Sequence, residues 1–96
     1  MQKKSKNDVS KLFKAVLSLK NEQECATFFD DICTIQELEA IAQRLQVALL
    51  LDEGKSYIDI NRQTGASTAT ICRVSKCLNY GDGGYKTAIE RLKKDD

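Results

Sequence analysis

Short hydroxyl side chains and basic side chains stand close together in one segment of the second half of the chain. Hydroxyls occur at Ser67, Thr68 and Thr70, and guanidinium groups occur at Arg62 and Arg73. Hydroxyls can donate to or accept from base edges, while basic groups pair with phosphates. The chemistry offered by these residue types is recognition of nucleic acid, not the making or breaking of bonds.

Two short helices within about residues 56–78 must position these side chains. The first helix ends near Thr64, and Gly65 can adopt the left-handed conformation that ends a helix and turns the chain. Ser67 or Thr68 can cap the second helix. Apolar residues then recur at helical spacing on one face of it: Ile71, Val74 and Leu78. This pattern is typical of a helix-turn-helix whose second helix enters the DNA major groove.

The helix-turn-helix interpretation predicts two sets of DNA contacts. Small polar side chains at the start of the second helix would let the backbone approach base edges closely. The predicted base contacts are Ser67, Thr68, Ala69, Thr70 and Cys72. The predicted phosphate contacts are Lys55, Arg62, Arg73 and Lys76, with the N-terminal lysines as further candidates.

The composition favours one all-α domain over residues 1–96. The chain has no proline and five glycines, and residues that favour helices are common. Apolar spacing predicts about six helices, most of them too short to be stable alone. The predicted elements are a helix over about Asn7–Leu19, one from Asn21, a long one from Thr34 to Asp52 or Glu53, the helix-turn-helix pair, and one over about Tyr85–Lys93.

Aromatic residues in the first two helices predict a dimer. Phe13, Phe28 and Phe29, with their aliphatic neighbours, form more apolar surface than short helices of one chain could cover. An intertwined homodimer would bury this surface and would also set two recognition helices about one DNA turn apart.

Missing residue types exclude most catalytic and metal sites. Without histidine, a Ser-His-Asp triad, a Cys-His dyad or a mixed Cys/His zinc site is impossible. The cysteines lack the short spacing of a zinc ribbon, and we expect reduced thiols, mostly on core faces: Cys25, Cys33, Cys72 and Cys77. A redox role of these thiols is left open. We expect a protein that is not an enzyme and that needs no cofactor or metal.

Neither a membrane span nor a signal peptide is visible in the sequence. The longest apolar run is far shorter than the roughly 18 residues of a spanning helix. The first residues lack the apolar region of a secretory signal. We therefore expect a cytoplasmic protein.

Charge is unevenly distributed although the net charge is only +1. Residues 1–20 carry +5, residues 21–54 carry −7 and residues 55–80 carry +3, counting Lys and Arg against Asp and Glu. DNA affinity depends on local neutralisation of phosphates, so an acidic scaffold can carry a basic binding surface.

Three features favour an alternative function, a protein-interaction module that keeps the fold without binding DNA. The charge of +3 is modest, the middle of the chain is acidic, and Asn61 lies four residues before the turn glycine, where a small residue usually packs against the second helix. A plain helical hairpin inside a bundle would also fit the pattern.

A set of residues with fixed spacing extends from position 34 to position 79. It reads Thr34-x-x-Glu37-x-Glu39-Ala40-Ile41-x-x-Arg44, then Leu49-Leu50 and Gly54, then Gly65-Ala66-x-x-Ala69-Thr70-Ile71-x-Arg73-x-Ser75-x-x-Leu78. This set resembles the Trp repressor family and, more closely, its Gram-positive relatives of the YerC/YecD type. The resemblance implies a bacterial transcriptional regulator that binds double-stranded operator DNA as an interlocked, all-helical homodimer.

The resemblance also implies a pocket for a small-molecule effector. Thr34 matches a threonine near the carboxylate of the family's corepressor. Arg44 matches an arginine that lies against the indole ring of the corepressor, and Arg73 matches the arginine that pairs with its carboxylate. Val74 replaces a glycine beside the flat ring, and Cys77 replaces a serine. We therefore expect that tryptophan is not the effector. Constitutive DNA binding, a smaller carboxylate or a flat molecule entering differently are the alternatives, and the operator, the target gene and the sign of regulation stay open.

Overall fold

The structure, a computed structural model, describes residues 4–95 and the side chains of residues 6–94. Within that range the chain forms six helices and no strand, which confirms the all-α prediction. The helices are α1 Lys4–Ser18, α2 Glu22–Ile32, α3 Ile35–Asp52, α4 Tyr57–Thr64, α5 Thr68–Tyr80 and α6 Gly84–Asp95. Met1–Lys3, the start of the lysine-rich arm, lies outside the described residues.

The chain folds as two compact units, one ending at Leu38 and the other beginning at Glu39. In the first unit, side chains cap α2 and α3 at Asn21 and Thr34, the residues from which the sequence predicts that these helices start. The Asn21 Oδ1 atom accepts from the Glu24 amide at 2.9 Å. Thr34 and Glu37 form a reciprocal capping box, because each side chain accepts from the other residue's amide, at 3.0 and 2.8 Å.

The first unit has much exposed apolar surface. None of the residues 6–38 is buried. Phe28 and Phe29 meet edge to face with ring centroids 5.5 Å apart, but Phe13 is 59% exposed and Leu17 is 83% exposed. Short amphipathic helices gain most of their stability from packing their apolar faces. These helices therefore have apolar surface available for a partner.

The second unit contains a buried core that surrounds the helix-turn-helix. Its buried residues come from α3, α4, the turn, α5 and α6: Val47, Ala48, Leu50, Ile60, Ala66, Ile71, Val74, Leu78 and Ile89. α5 packs against both α4 and α6. Because one face of α5 is fixed in this core, its opposite face is held in a defined position toward solvent.

An ion pair links the end of α3 to the end of α6. Lys93 Nζ lies 2.6 Å from Asp52 Oδ2. The hydrogen bond to Asp52, and next its negative charge, raise the pKa of Lys93. A raised lysine pKa stabilises the folded state at every pH below the ordinary lysine value, and this contribution is lost as pH rises through the raised value. The pair is therefore intact at neutral pH.

Candidate nucleic-acid interface

The first helix of the helix-turn-helix, α4, begins at a serine cap and exposes one arginine. The Ser56 hydroxyl accepts from the Asp59 amide at 3.1 Å. Arg62 Nη1 lies 3.6 Å from Asp59 Oδ1, and the Arg62 side chain is 74% exposed. Exposed pairs of this kind contribute little free energy. The guanidinium can therefore exchange this carboxylate for a phosphate.

The turn between α4 and α5 is built on Gly65. This residue has a φ of 75°, the left-handed conformation predicted for it, and its amide donates to the Asn61 carbonyl at 2.8 Å. A residue with a Cβ atom would be strained in this conformation. The glycine thus sets the angle at which α5 leaves α4.

Three side chains stabilise the turn. Asn61 Nδ2 donates to the Ala66 carbonyl at 2.7 Å. Thr64 Oγ1 accepts from the Ala66 amide at 3.0 Å, and Gln43 Nε2 donates to the Thr64 carbonyl at 3.1 Å. The Asn61 amide bonds across the turn, so this departure from the usual small residue is compatible with a helix-turn-helix.

The N-terminus of α5 carries the predicted base contacts. Ser67 is the cap, accepting from the Thr70 amide at 3.1 Å, and its hydroxyl also bonds to Thr70 Oγ1 at 3.1 Å. Thr68, Ala69 and Cys72 are exposed, whereas Thr70 is half-buried. The side chains most accessible to a base edge are thus Thr68, Ala69 and Cys72.

The four predicted phosphate contacts are all exposed: Lys55, Arg62, Arg73 and Lys76. Arg73 and Lys76 line a shallow groove of about 390 Å³ on α5, together with Ala69, Cys72 and Cys77. By helical spacing this groove lies on the side of α5 opposite its buried residues. A basic surface therefore adjoins the polar N-terminus of the same helix.

Only some of the predicted effector-pocket residues come together. Arg44 and Cys77 line a largely apolar cavity of about 610 Å³, with Ile41, Leu45, Gly81, Asp82, Gly84, Tyr85 and Ala88. Arg73 and Cys77 share the groove on α5 instead. Thr34 belongs to the first unit, and Val74 is only 2% exposed and lies in the core of the second.

No signal in the sequence indicates the roles of several residues of this unit. Gln43 bonds to the Thr64 carbonyl and Thr64 to the Ala66 amide, contacts that depend on how the turn is folded, and Thr64 was predicted only as the end of a helix. Tyr85 was assigned only to the start of a helix, and its spacing after the glycines did not indicate the cavity. The expectation that the cysteines lie mostly on core faces was wrong, since Cys72 and Cys77 are exposed and Cys25 and Cys33 are half-buried.

No group of three or more histidine, cysteine or acidic residues within the described part of the chain could hold a metal ion. Among those same residues, none of the helices has the length and apolar character needed to cross a membrane.

Known proteins share both the sequence pattern and the fold of this chain. Residues 7–93 match the Trp repressor protein family. The uncharacterized protein YerC of Bacillus subtilis (strain 168) is 52% identical over 89 residues, which cover 93% of this chain and 86% of YerC. These matches extend well beyond residues 34–79.

Two solved structures agree with this family match. A TrpR-like protein from Eubacterium eligens superposes with a TM-score of 0.87 at 50% identity, covering 91% of this chain and 90% of its own. A Trp-repressor-like protein from Staphylococcus aureus superposes with a TM-score of 0.88 at 41% identity. The match covers 97% of this chain and 95% of the Staphylococcus aureus chain.

Proposed function

The chain belongs to the Trp repressor family, and we propose that it is a sequence-specific, DNA-binding transcriptional regulator that acts as a homodimer. One observation carries this proposal: α5 has one face fixed in a buried core and exposes Thr68, Ala69 and Cys72 beside Arg73 and Lys76 on the other. A rigid helix with small polar residues next to cations fits a DNA major groove.

The two sets of contacts have different roles in this proposal. Base edges meet the N-terminal residues of α5, and the sequence preference arises there. Phosphates meet Lys55, Arg62, Arg73 and Lys76, which supply affinity independent of sequence. The hydroxyls of Ser67 and Thr70 already bond to each other, so Thr68 offers the most available hydroxyl.

The homodimer is supported by the apolar surface of the first unit. Phe13 and Leu17 lie one helical turn apart on α1 and are both exposed. A second copy of the chain would cover them and would bring a second α5 to the DNA. Each protomer would then read one half-site of a pseudo-palindrome.

Replacing Leu17 with aspartate should convert the dimer to a monomer. Leu17 is 83% exposed in the single chain, and a carboxylate buried at an apolar interface would go unpaired. Sedimentation equilibrium should give about twice the 10.8 kDa of one chain for the wild type and a single-chain mass for the variant. Ser18→Asp is the matched control, because Ser18 is an exposed polar residue next to Leu17 in α1 but off its apolar face. An unchanged mass for Leu17→Asp would contradict the proposed interface.

We propose further that tryptophan is not the effector. Val74 is packed in the core of the second unit, and Cys77 stands where the family has a serine. Arg44 remains beside an apolar cavity, and a guanidinium at its edge could bind a carboxylate. The effector would then be a small carboxylate or a flat molecule that occupies the cavity. An empty cavity, with DNA binding that needs no effector, is the alternative.

DNA selection from a random pool, at about physiological salt and without added ligand, tests the function directly. We expect an enriched pseudo-palindrome with half-sites about one helical turn apart, unchanged by tryptophan. Enrichment that needs tryptophan would refute the effector proposal alone. A dimeric protein that enriches no sequence, with or without a metabolite extract, would refute the proposed regulator and favour the interaction module.

A further inference from the structure

Two free thiols and two cations share the groove on α5. Cys72 and Cys77 are both exposed, and Arg73 and Lys76 line the same groove of about 390 Å³. Lys76 is one helical turn beyond Cys72, and Arg73 is its immediate neighbour. Among the described side chains, no carboxylate lines this groove.

The helix prevents the two thiols from bonding to each other. Five residues along an ideal α-helix separate Cα atoms by ~8.7 Å, with side chains pointing roughly 140° apart. Cysteines whose Cα atoms are more than about 7 Å apart cannot form a disulfide without movement of the backbone. Oxidation of either thiol to the disulfide level therefore needs a sulfur other than its neighbour on α5.

We propose that this groove is a thiol-modification site in which Cys72 forms a mixed disulfide with a small, carboxylate-bearing disulfide. The Cys72 thiolate attacks one sulfur of the small disulfide, and a new S–S bond forms as the old one breaks. The leaving half departs with the electron pair as a thiolate and takes a proton from solvent. Cys72 is thereby oxidised, the released half is reduced, and the small disulfide is the only oxidant required.

The charge of the groove selects the class of reagent. A disulfide with carboxylates is attracted to Arg73 and Lys76, and a groove lined by charges of one sign raises the local concentration of an oppositely charged molecule. A disulfide whose only charged groups are amino groups is repelled by the same residues. Cys25, which is half-buried on α2 within a helix that has no Lys or Arg, lacks such neighbours on its own helix.

The modification would act as a switch on DNA binding, a consequence that rests on the proposed function. Cys72 is one of the exposed residues that we assign to base contacts. An adduct on it would fill the space between α5 and the DNA and would add carboxylates next to phosphates. A reductant would remove the adduct and restore binding.

Mass spectrometry on the full chain tests the site without reference to DNA. The protein is treated with oxidised glutathione, an anionic disulfide, or with cystamine, a cationic one, and the modification of Cys72 relative to Cys25 is measured for each. We expect this ratio to be about tenfold higher with oxidised glutathione. Lys76→Gln should lower the ratio for oxidised glutathione and leave it unchanged or higher for cystamine. Equal ratios for the two reagents, or no effect of Lys76→Gln, would overturn the proposed site.

DNA binding of treated and untreated protein then tests the switch. In a Cys25→Ser, Cys33→Ser background, oxidised glutathione should lower the affinity for selected DNA at least tenfold, and dithiothreitol should restore it. Cys72→Ser, whatever its own affinity, should not respond to the treatment. DNA binding that persists with Cys72 fully modified would overturn the switch. If untreated protein binds no DNA, the proposed function fails, while the mass measurement still decides whether the groove is a modification site.

Discussion

Replacing Ile71 with alanine should lower the free energy of unfolding by about 3 kcal/mol, within the range measured for large-to-small changes in cores. Ile71 is fully buried in the second unit, on the face of α5 that packs against α4 and α6. Its side chain therefore fixes α5 relative to the rest of the helix-turn-helix. A domain of this size has only about 5–15 kcal/mol in total, so the loss is a large fraction of its stability. Urea denaturation at a fixed protein concentration measures it.

Ile58 provides a matched control in the same helix-turn-helix. It is also an isoleucine in a helix, but it is 71% exposed. Ile58→Ala should change the unfolding free energy by no more than about 0.5 kcal/mol. Similar losses for the two variants would mean that burial does not distinguish the two positions, and the described core would then be wrong.

Local features of the fold were predictable because they depend on residues close together in sequence. The capping box of Thr34 and Glu37, the cap at Ser67 and the left-handed turn at Gly65 each involve partners at most four residues apart. Helical periodicity likewise identified the buried face of α5. Boundaries were less accurate, since α1 already includes Lys4 and α6 begins at Gly84.

Features that depend on tertiary packing were not predictable in this way. Lys93 and Asp52 are 41 residues apart, and no spacing rule connects them. The Asn61 side chain was interpreted by analogy, although its value lies in a hydrogen bond to the Ala66 carbonyl that exists only once the turn has formed. The exposure of Cys77 and the half-burial of Cys25 and Cys33 depend on how the helices pack, which no spacing rule gives.

Replacing Arg62 with alanine should weaken binding to every DNA sequence by about tenfold and reduce its dependence on salt. In a homodimer the change removes two phosphate contacts, so the slope of log K against log salt should become shallower by about 1.8. Titrations at several salt concentrations, on selected and random DNA, measure both effects. Asp59→Asn is the control, because it removes the carboxylate 3.6 Å from Arg62 and leaves the guanidinium free. It should not weaken binding.

Thr68→Ala should weaken binding to the selected sequence and not to random DNA, because a base contact carries sequence information and a phosphate contact does not. Losing one hydroxyl contact in each half-site should cost about 2 kcal/mol on the selected sequence, or roughly a 30-fold loss of affinity. Affinity for random DNA and the salt slope should stay unchanged. Thr68 is exposed at the first position of α5, and its side chain is not part of the buried core, so loss of folding would not explain the result. Equal losses on selected and random DNA for both Thr68→Ala and Arg62→Ala would refute the division of the surface into base and phosphate contacts.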